Sequence, residues 1–376
     1  MKVGTKDYRS IWHDEEDSRS VHVIDQRRLP FALDVLTLRS AGDVCDAIIS
    51  MAVRGAPLIG AAAAWGIYLS FIEHRAGGDV CSSVLKDAVK LKATRPTAVN
   101  LAWAVDYMTG FLNNEADEAV MKRAVIALCD MEAARCRSIG EHGLPLIEDI
   151  SRNKKEGVVN ILTHCNAGWL ACVDYGTALA PVYLAHDKGI KVHVWVDETR
   201  PRNQGSRLTA WELTNHGVPC TLITDNAGGH LMQKGMVDLA IVGCDRATAS
   251  GDVANKIGTY LKALAAYDNG VPFYSAFPVS TFDMTLERPG QIVIEERDGN
   301  EVRIIAGIDG NVDNEQVKNA NKSFAAAEEK YVYICHPDTE VVNFGFDVTP
   351  ARLITGLITD RGICRAEKKS ILKLLS

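Results

Sequence analysis

The sequence predicts an α/β protein: a mainly helical N-terminal domain with short N-terminal strands over residues 1–150, then a Rossmann-like, doubly wound parallel-sheet domain over residues 151–376. Three observations predict it. Residues 31–142 carry helical signals almost throughout. The polar run SRNKKEG (151–157) ends that pattern. Beyond it, short apolar, β-rich runs alternate with helical ones, as in a parallel sheet covered on both faces. The length of 376 residues suits two or three domains of about 150 residues each.

The first 30 residues mix short apolar pieces with charges and turns, as in SVHVIDQRRLP, and predict irregular strands. Residues 55–72, GAPLIGAAAAWGIYLSFI, carry no formal charge. A helix starting at Leu58 would span about 22 Å, short of a hydrocarbon core of about 30 Å. The stretch is therefore predicted to be a buried core helix, and no membrane partner is expected. Asn113–Asn114 precede EADEAVMKRAVIALCDMEAARCRSIGEHG, an N-cap followed by an acidic first turn. That helix is expected to exceed 20 residues and to end at Gly140 or Gly143.

Five strands follow: VVNIL (158–162), KVHVWV (191–196), CTLIT (220–224), LAIVG (239–243) and PFYSA (272–276). Their exits are His164-Cys165-Asn166, Asp197-Glu198-Thr199-Arg200, Asp225-Asn226, Asp245-Arg246 and Ser280-Thr281. Any one of these could be a plain helix N-cap. Five in succession deliver polar and ionisable groups to one sheet edge, where ligands of open parallel sheets bind.

Composition narrows the function. Hydrophobic residues make up 47% and charged ones 24%, so extensive disorder is excluded. With 48 acidic against 41 basic residues the net charge is −7, and no basic block offers a grip on nucleic acid. The ten cysteines form no CxxC pair, and the N-terminus shows no apolar targeting stretch. Both features predict reduced thiols in a cytoplasmic protein. GxGxxG, Walker A, GxSxG and HExxH are all missing, which argues against dinucleotide, P-loop, hydrolase and metal readings; no metal and no cofactor is expected.

The exits hold candidates for chemistry. Cys165 lies in ILTHCNAG, where a helix starting near Asn166 would lower its pKa; an inert buried thiol is the alternative. Asp245 ends an apolar strand, where partial desolvation raises a carboxyl toward proton-donor range, although pairing with Arg246 would make it structural. Arg54 before Gly55, Arg95 before Pro96, and Lys256 in the first turn expected of NKIGTYLKALAA all sit at helix starts. Together they suggest an anion site; solvated surface charges are the alternative.

At these residues the sequence resembles the methylthioribose-1-phosphate isomerase family, from about residue 8 to 365. The resemblance is carried by AVRGAPLIG (52–60), ATRPTAVNL (93–101), ILTHCNAG (161–168), VDETRPRNQGSRLTAWEL (196–213), GCDRATASGDVANKIGTY (243–260) and FDVTPARLITGLIT (346–359). The superfamily also includes ribose-1,5-bisphosphate isomerase and non-catalytic regulatory subunits of a translation-initiation exchange factor. The resemblance implies that Arg54, Gly55, Ala56, Arg95, Gln204, Asn255 and Lys256 bind a sugar phosphate, that Asp245 donates a proton and that Cys165 is the second catalytic residue. It implies an aldose–ketose isomerase of methionine salvage acting as a homodimer. The sequence departs from the family at Trp169, at Cys244 and over DNAGGHLM (225–232). Those departures keep a 5-deoxyribose-1-phosphate isomerase open as an alternative; a non-catalytic sugar- or nucleotide-phosphate sensor is the alternative of another class.

Overall fold

The computed structural model describes residues 1–96, 98–112, 117–155, 157–308 and 329–376. Strands β1 (Lys2–Val3) and β2 (Lys6–Asp7) form a small antiparallel pair. Strands β3 (Ile11–His13), β4 (Val21–Ile24) and β5 (Val35–Leu38) form an antiparallel sheet. Helices α1 (Ala41–Ile49), α2 (Ala56–His74), α3 (Val80–Thr94), α4 (Val99–Thr109) and α5 (Glu118–Asn153) follow. The uncharged stretch lies in α2, which packs against α1, α3, α4 and α5 and is buried from Pro57 to Ile72. Its lack of a polar face follows from being covered on all sides.

Helix α5 departs from expectation at both ends. Asn113 and Asn114 lie outside the described residues; Asp117 caps the helix, its carboxylate accepting from the Val120 N–H at 2.7 Å. The chain then passes through Gly140, Gly143 and Pro145 without stopping and ends at Asn153, inside the polar run. The two glycines have another role. A Cβ at Gly140 would lie 2.8 Å from Leu184 Cδ1, and one at Gly143 2.5 Å from Pro181 Cγ. They let α6 (Ala180–Asp187) lie directly against α5.

The second half continues with β6 (Val159–Thr163) before α6, then β7 (Val192–Asp197), α7 (Ala210–His216), β8 (Cys220–Ile223), α8 (Gly228–Gln233) and β9 (Leu239–Val242). Next come β10 (Arg246–Thr248), β11 (Val253–Lys256), α9 (Thr259–Asp268), β12 (Phe273–Ala276), β13 (Phe282–Asp283), α10 (Asn300–Arg303) and β14 (Ile304–Ile308). Strands β15 (Glu329–Tyr333), β16 (Phe346–Thr349), β17 (Gly356–Thr359) and β18 (Gly362–Cys364) lead to α11 (Lys368–Leu375).

All five anticipated strands lie in one seven-stranded sheet ordered β18–β17–β12–β9–β6–β7–β8, parallel except for β18. Side chains alternate between its faces. Val159, Ile161, Val192 and Val194 join the core under α5 and α6, whereas Leu162, Ala240 and Val242 join Met232 of α8 and Ala263 and Ala266 of α9. The chain runs outward from β6 to β8, then outward the other way from β9 to β17. The reversal between β6 and β9 opens the crevice where such sheets bind ligands. A second sheet, β13–β10–β11–β16, stands beside that edge and had no counterpart in the sequence reading. It pairs Asn255 with Asp347 and Lys256 with Phe346.

Candidate functional site

The exit of β6 brings Cys165 to the crevice, and the exit of β9 brings Asp245. The lead into α2 adds Arg54, Gly55 and Ala56, while Arg95, Gln204, Asn255 and Lys256 complete the wall. All nine anticipated residues line one cleft.

Cys165 reaches it by a route the sequence reading had wrong. No helix starts at Asn166; the chain makes only a short turn at Trp169–Ala171 before α6 begins at Ala180. Cys165 instead adopts a left-handed backbone conformation with φ 67°. Two threonines hold it: the Cys165 N–H donates to Thr199 Oγ1 at 2.8 Å, and Thr209 Oγ1 donates to the Cys165 carbonyl at 2.7 Å. No helix dipole lowers the thiol. Burial pushes its pKa above the ordinary cysteine value, and the positive charges of Arg54 and Lys256 oppose that rise. Trp169, for its part, is fully buried in the core beside Trp211, with ring centroids 6.3 Å apart, and does not line the cleft.

Asp245 keeps part of its surface open to the cleft. Burial pushes its carboxyl upward, while Lys256, Arg54 and Arg95 pull the other way. Lys256 also differs from expectation: it ends β11 instead of opening a helix, and α9 begins three residues later. Its Nζ donates to the Gly345 carbonyl at 2.9 Å and stands 4.7 Å from the centre of the Phe346 ring. Burial lowers its pKa, and the facing Cys165 and Asp245 raise it.

Arg54 is pinned by Asn166. Its Nη1 donates to Asn166 Oδ1 at 2.5 Å and its Nη2 to the Asn166 carbonyl at 2.6 Å. Gly55, at φ 88°, opens α2 without a side-chain cap, so no side chain occupies the N–H groups of the first turn, where Pro57 itself contributes none. Arg95 closes α3; its Nη1 lies 3.3 Å from Met51 Sδ and its Nη2 3.7 Å from Glu295 Oε2. Gln204 is buried, with Oε1 lacking a protein partner, and Asn255 Nδ2 donates to Thr259 Oγ1 at 3.0 Å. The resulting basket combines cations, free amides, a carboxyl and a thiol, which is what a sugar phosphate needs for recognition and proton chemistry.

Asn166, Cys172 and Phe346 also line the cleft and were not anticipated as site residues. Asn166 was visible as a strand exit. Phe346 lies in the FDVTPARLITGLIT motif, but nothing local ties that motif to Lys256.

His164, Asp197 and Asp225 bring donor atoms within 4.8 Å of one another beneath Cys165, a spacing a metal ion could use. Their hydrogen bonds fit an ion pair better. His164 Nδ1 lies 2.9 Å from Asp197 Oδ2, and its Nε2 faces the Ile257 carbonyl at 2.8 Å. Asp197 also faces Lys262 Nζ at 3.3 Å, so its carboxylate is already shared between the imidazole and an ammonium group.

Residues 52–366 match the model of the initiation factor 2 subunit family. A methylthioribose-1-phosphate isomerase of Desulfatibacillum aliphaticivorans is 51% identical, covering 100% of this chain and 98% of that protein. The solved 5-methylthioribose 1-phosphate isomerase of Pyrococcus horikoshii OT3 superposes with TM-score 0.83 at 36% identity, covering 99% of this chain and 96% of its own. A structure described as translation initiation factor eIF-2B, subunit delta, from A. fulgidus superposes with TM-score 0.78, also at 36% identity, covering 98% and 99%.

Proposed function

The chain belongs to the initiation factor 2 subunit family, and within that family we infer that it is an isomerase converting 5-methylthioribose 1-phosphate to 5-methylthioribulose 1-phosphate, a step of methionine salvage. The fold alone cannot separate this activity from a translation-factor role, because a structure with that description superposes almost as well. The observation that carries the reading is the meeting of Cys165 and Asp245 with Arg54, Arg95 and Lys256 in one cleft.

The phosphate on C1 blocks spontaneous ring opening. Asp245, whose carboxyl burial pushes above its ordinary value, is assigned the proton that the ring oxygen takes up as the C1–O bond breaks. The hydrogen on C2 must then move to C1, and the 2-hydroxyl must lose its proton, which the carboxylate left on Asp245 is assigned to take, to leave a ketone. A proton-transfer route needs the Cys165 thiolate; a hydride shift does not. Burial of Cys165 favours the second route, with the thiol lying beside the migrating hydrogen. Arg54, Arg95, Lys256 and the start of α2 are assigned to the phosphate, and Gln204 and Asn255 to the sugar. Trp169 is packed away from the cleft and does not narrow it for the C5 substituent, whereas Cys244, another of the three departures, does line it. The working assembly is proposed to be a homodimer, which light scattering on the purified protein tests, located in the cytoplasm, which cell fractionation tests.

Incubation with 5-methylthioribose 1-phosphate, followed by proton NMR, decides the main reading. Ketose formation that disappears in Asp245→Asn supports it. Binding without turnover would favour the sensor.

A further inference from the structure

We propose that Glu212 is a positioning residue that aims the Arg54 guanidinium at the substrate phosphate through Asn166. The proposal rests on the reading of Arg54 as a phosphate anchor.

The argument begins with Asn166, whose amide has one acceptor and one donor end. A guanidinium has only donors, so the Arg54 contact at 2.5 Å requires Oδ1 to face it. The Nδ2 end then needs acceptors, and it has two: a carboxylate oxygen of Glu212 and Thr209 Oγ1 at 3.1 Å. The guanidinium fixes the amide from one end and the carboxylate from the other, so Glu212 holds Asn166 where its Oδ1 stays aimed at Arg54. The same Thr209 hydroxyl donates to the Cys165 carbonyl, so one buried chain of bonds joins the arginine to the catalytic loop.

The placement of Glu212 is too costly to be incidental. It sits on α7 with none of its surface exposed, and among the described residues no Lys or Arg forms an ion pair with it. The loop folds closely around it: a Cβ at Gly168 would overlap the carboxylate, and the Leu170 N–H points at Oε2 from 3.5 Å. A buried carboxylate without a direct cation is expensive, and a neutral glutamine would fill the same space at less cost. Above about pH 7 the carboxylate is charged, and besides the loop at Leu170 its hydrogen bonds lead through Asn166 to Arg54.

Inhibition by inorganic phosphate at pH 8, measured on wild type, Glu212→Gln, Arg54→Ala and the double variant, tests this. Glu212→Gln is expected to raise the inhibition constant about tenfold, the size of one lost charge-assisted hydrogen bond. Arg54→Ala should raise it further, and the double variant should match Arg54→Ala within about twofold, since the two residues act in series. If the two effects multiply, Glu212 acts independently of Arg54 and the proposal falls while the anchor reading stands. An unchanged constant in Arg54→Ala overturns the anchor reading itself. Should Glu212→Gln fail to fold, Asn166→Ala cuts the same chain at its middle and is judged by the same cycle.

Discussion

Replacing Gly55 by Ala should disable the cleft with a single methyl group. Gly55 has φ 88° and ψ 135°, close to backbone space that only glycine occupies freely, so alanine costs about 1–3 kcal/mol in strain. The new Cβ would also stand 2.5 Å from the Ala171 carbonyl oxygen and 2.6 Å from the Ala171 Cβ. Ordinary contact begins at 3.4 Å, so about 0.9 Å must be found, and neither partner has a rotatable bond with which to move aside. Either the first turn of α2 retreats, carrying Arg54 with it, or the 169–172 turn moves with Cys172. A displacement near 1 Å in a positioned site costs about 10²-fold in rate. The expected result is therefore a fall of about that size in kcat/KM, with a melting temperature lowered by the strain. Turnover within twofold of wild type at an unchanged melting temperature would show that the loop is soft and that close approach of α2 does not shape the site.

Four further outcomes follow from the same geometry. Asp245→Asn should lose at least about 10²-fold in kcat, the low end for general acid catalysis, while still binding inorganic phosphate; near-normal turnover removes Asp245 from the reaction. Alkylation of Cys165 by iodoacetamide should rise with pH to a midpoint above the ordinary cysteine value, because burial raises the thiol; a midpoint below it would mean that Arg54 and Lys256 outweigh burial. Trp169→Ala should cost about 3–5 kcal/mol in stability yet leave the ratio of kcat/KM for methylthio and 5-deoxy sugars unchanged, and a shifted ratio would place the indole in the pocket after all. Burial pushes Glu212 from 4.5 to about 7, so the folded protein binds its proton more tightly than the unfolded chain. The resulting stability is complete below pH 4.5 and is lost as pH rises toward 7, an effect of about 3 kcal/mol that Glu212→Gln should flatten in calorimetric pH scans.

The parallel sheet was legible because apolar runs such as LAIVG and KVHVWV are short, evenly separated and followed by polar exits. The position of Asp245 was legible for the same reason. Where the sequence reading failed, the deciding contact lay far along the chain. The segment after Cys165 has helix-compatible residues, but its loop wraps the carboxylate of Glu212, 46 residues beyond Asn166. Lys256 resembles a first-turn residue until β11 pairs with β16, 90 residues later at Phe346. Gly140 and Gly143 resemble a helix stop, since nothing near them announces that α6 needs their missing side chains.

The pairing of β11 with β16 also bears on how the protein is made. Asn255 and Lys256 are held in register by residues 346–349, and Lys256 completes its hydrogen bond on the Gly345 carbonyl. During synthesis Cys165, Asp245 and all the cations emerge from the ribosome well before that clasp. At about 5–20 residues per second, some 5–18 seconds separate Lys256 from Phe346. Throughout that interval a nascent chain holds the reactive groups without the strand that fixes their geometry. Catalysis thus begins only when nearly the whole chain has been translated, and prematurely terminated products should lack partial activity.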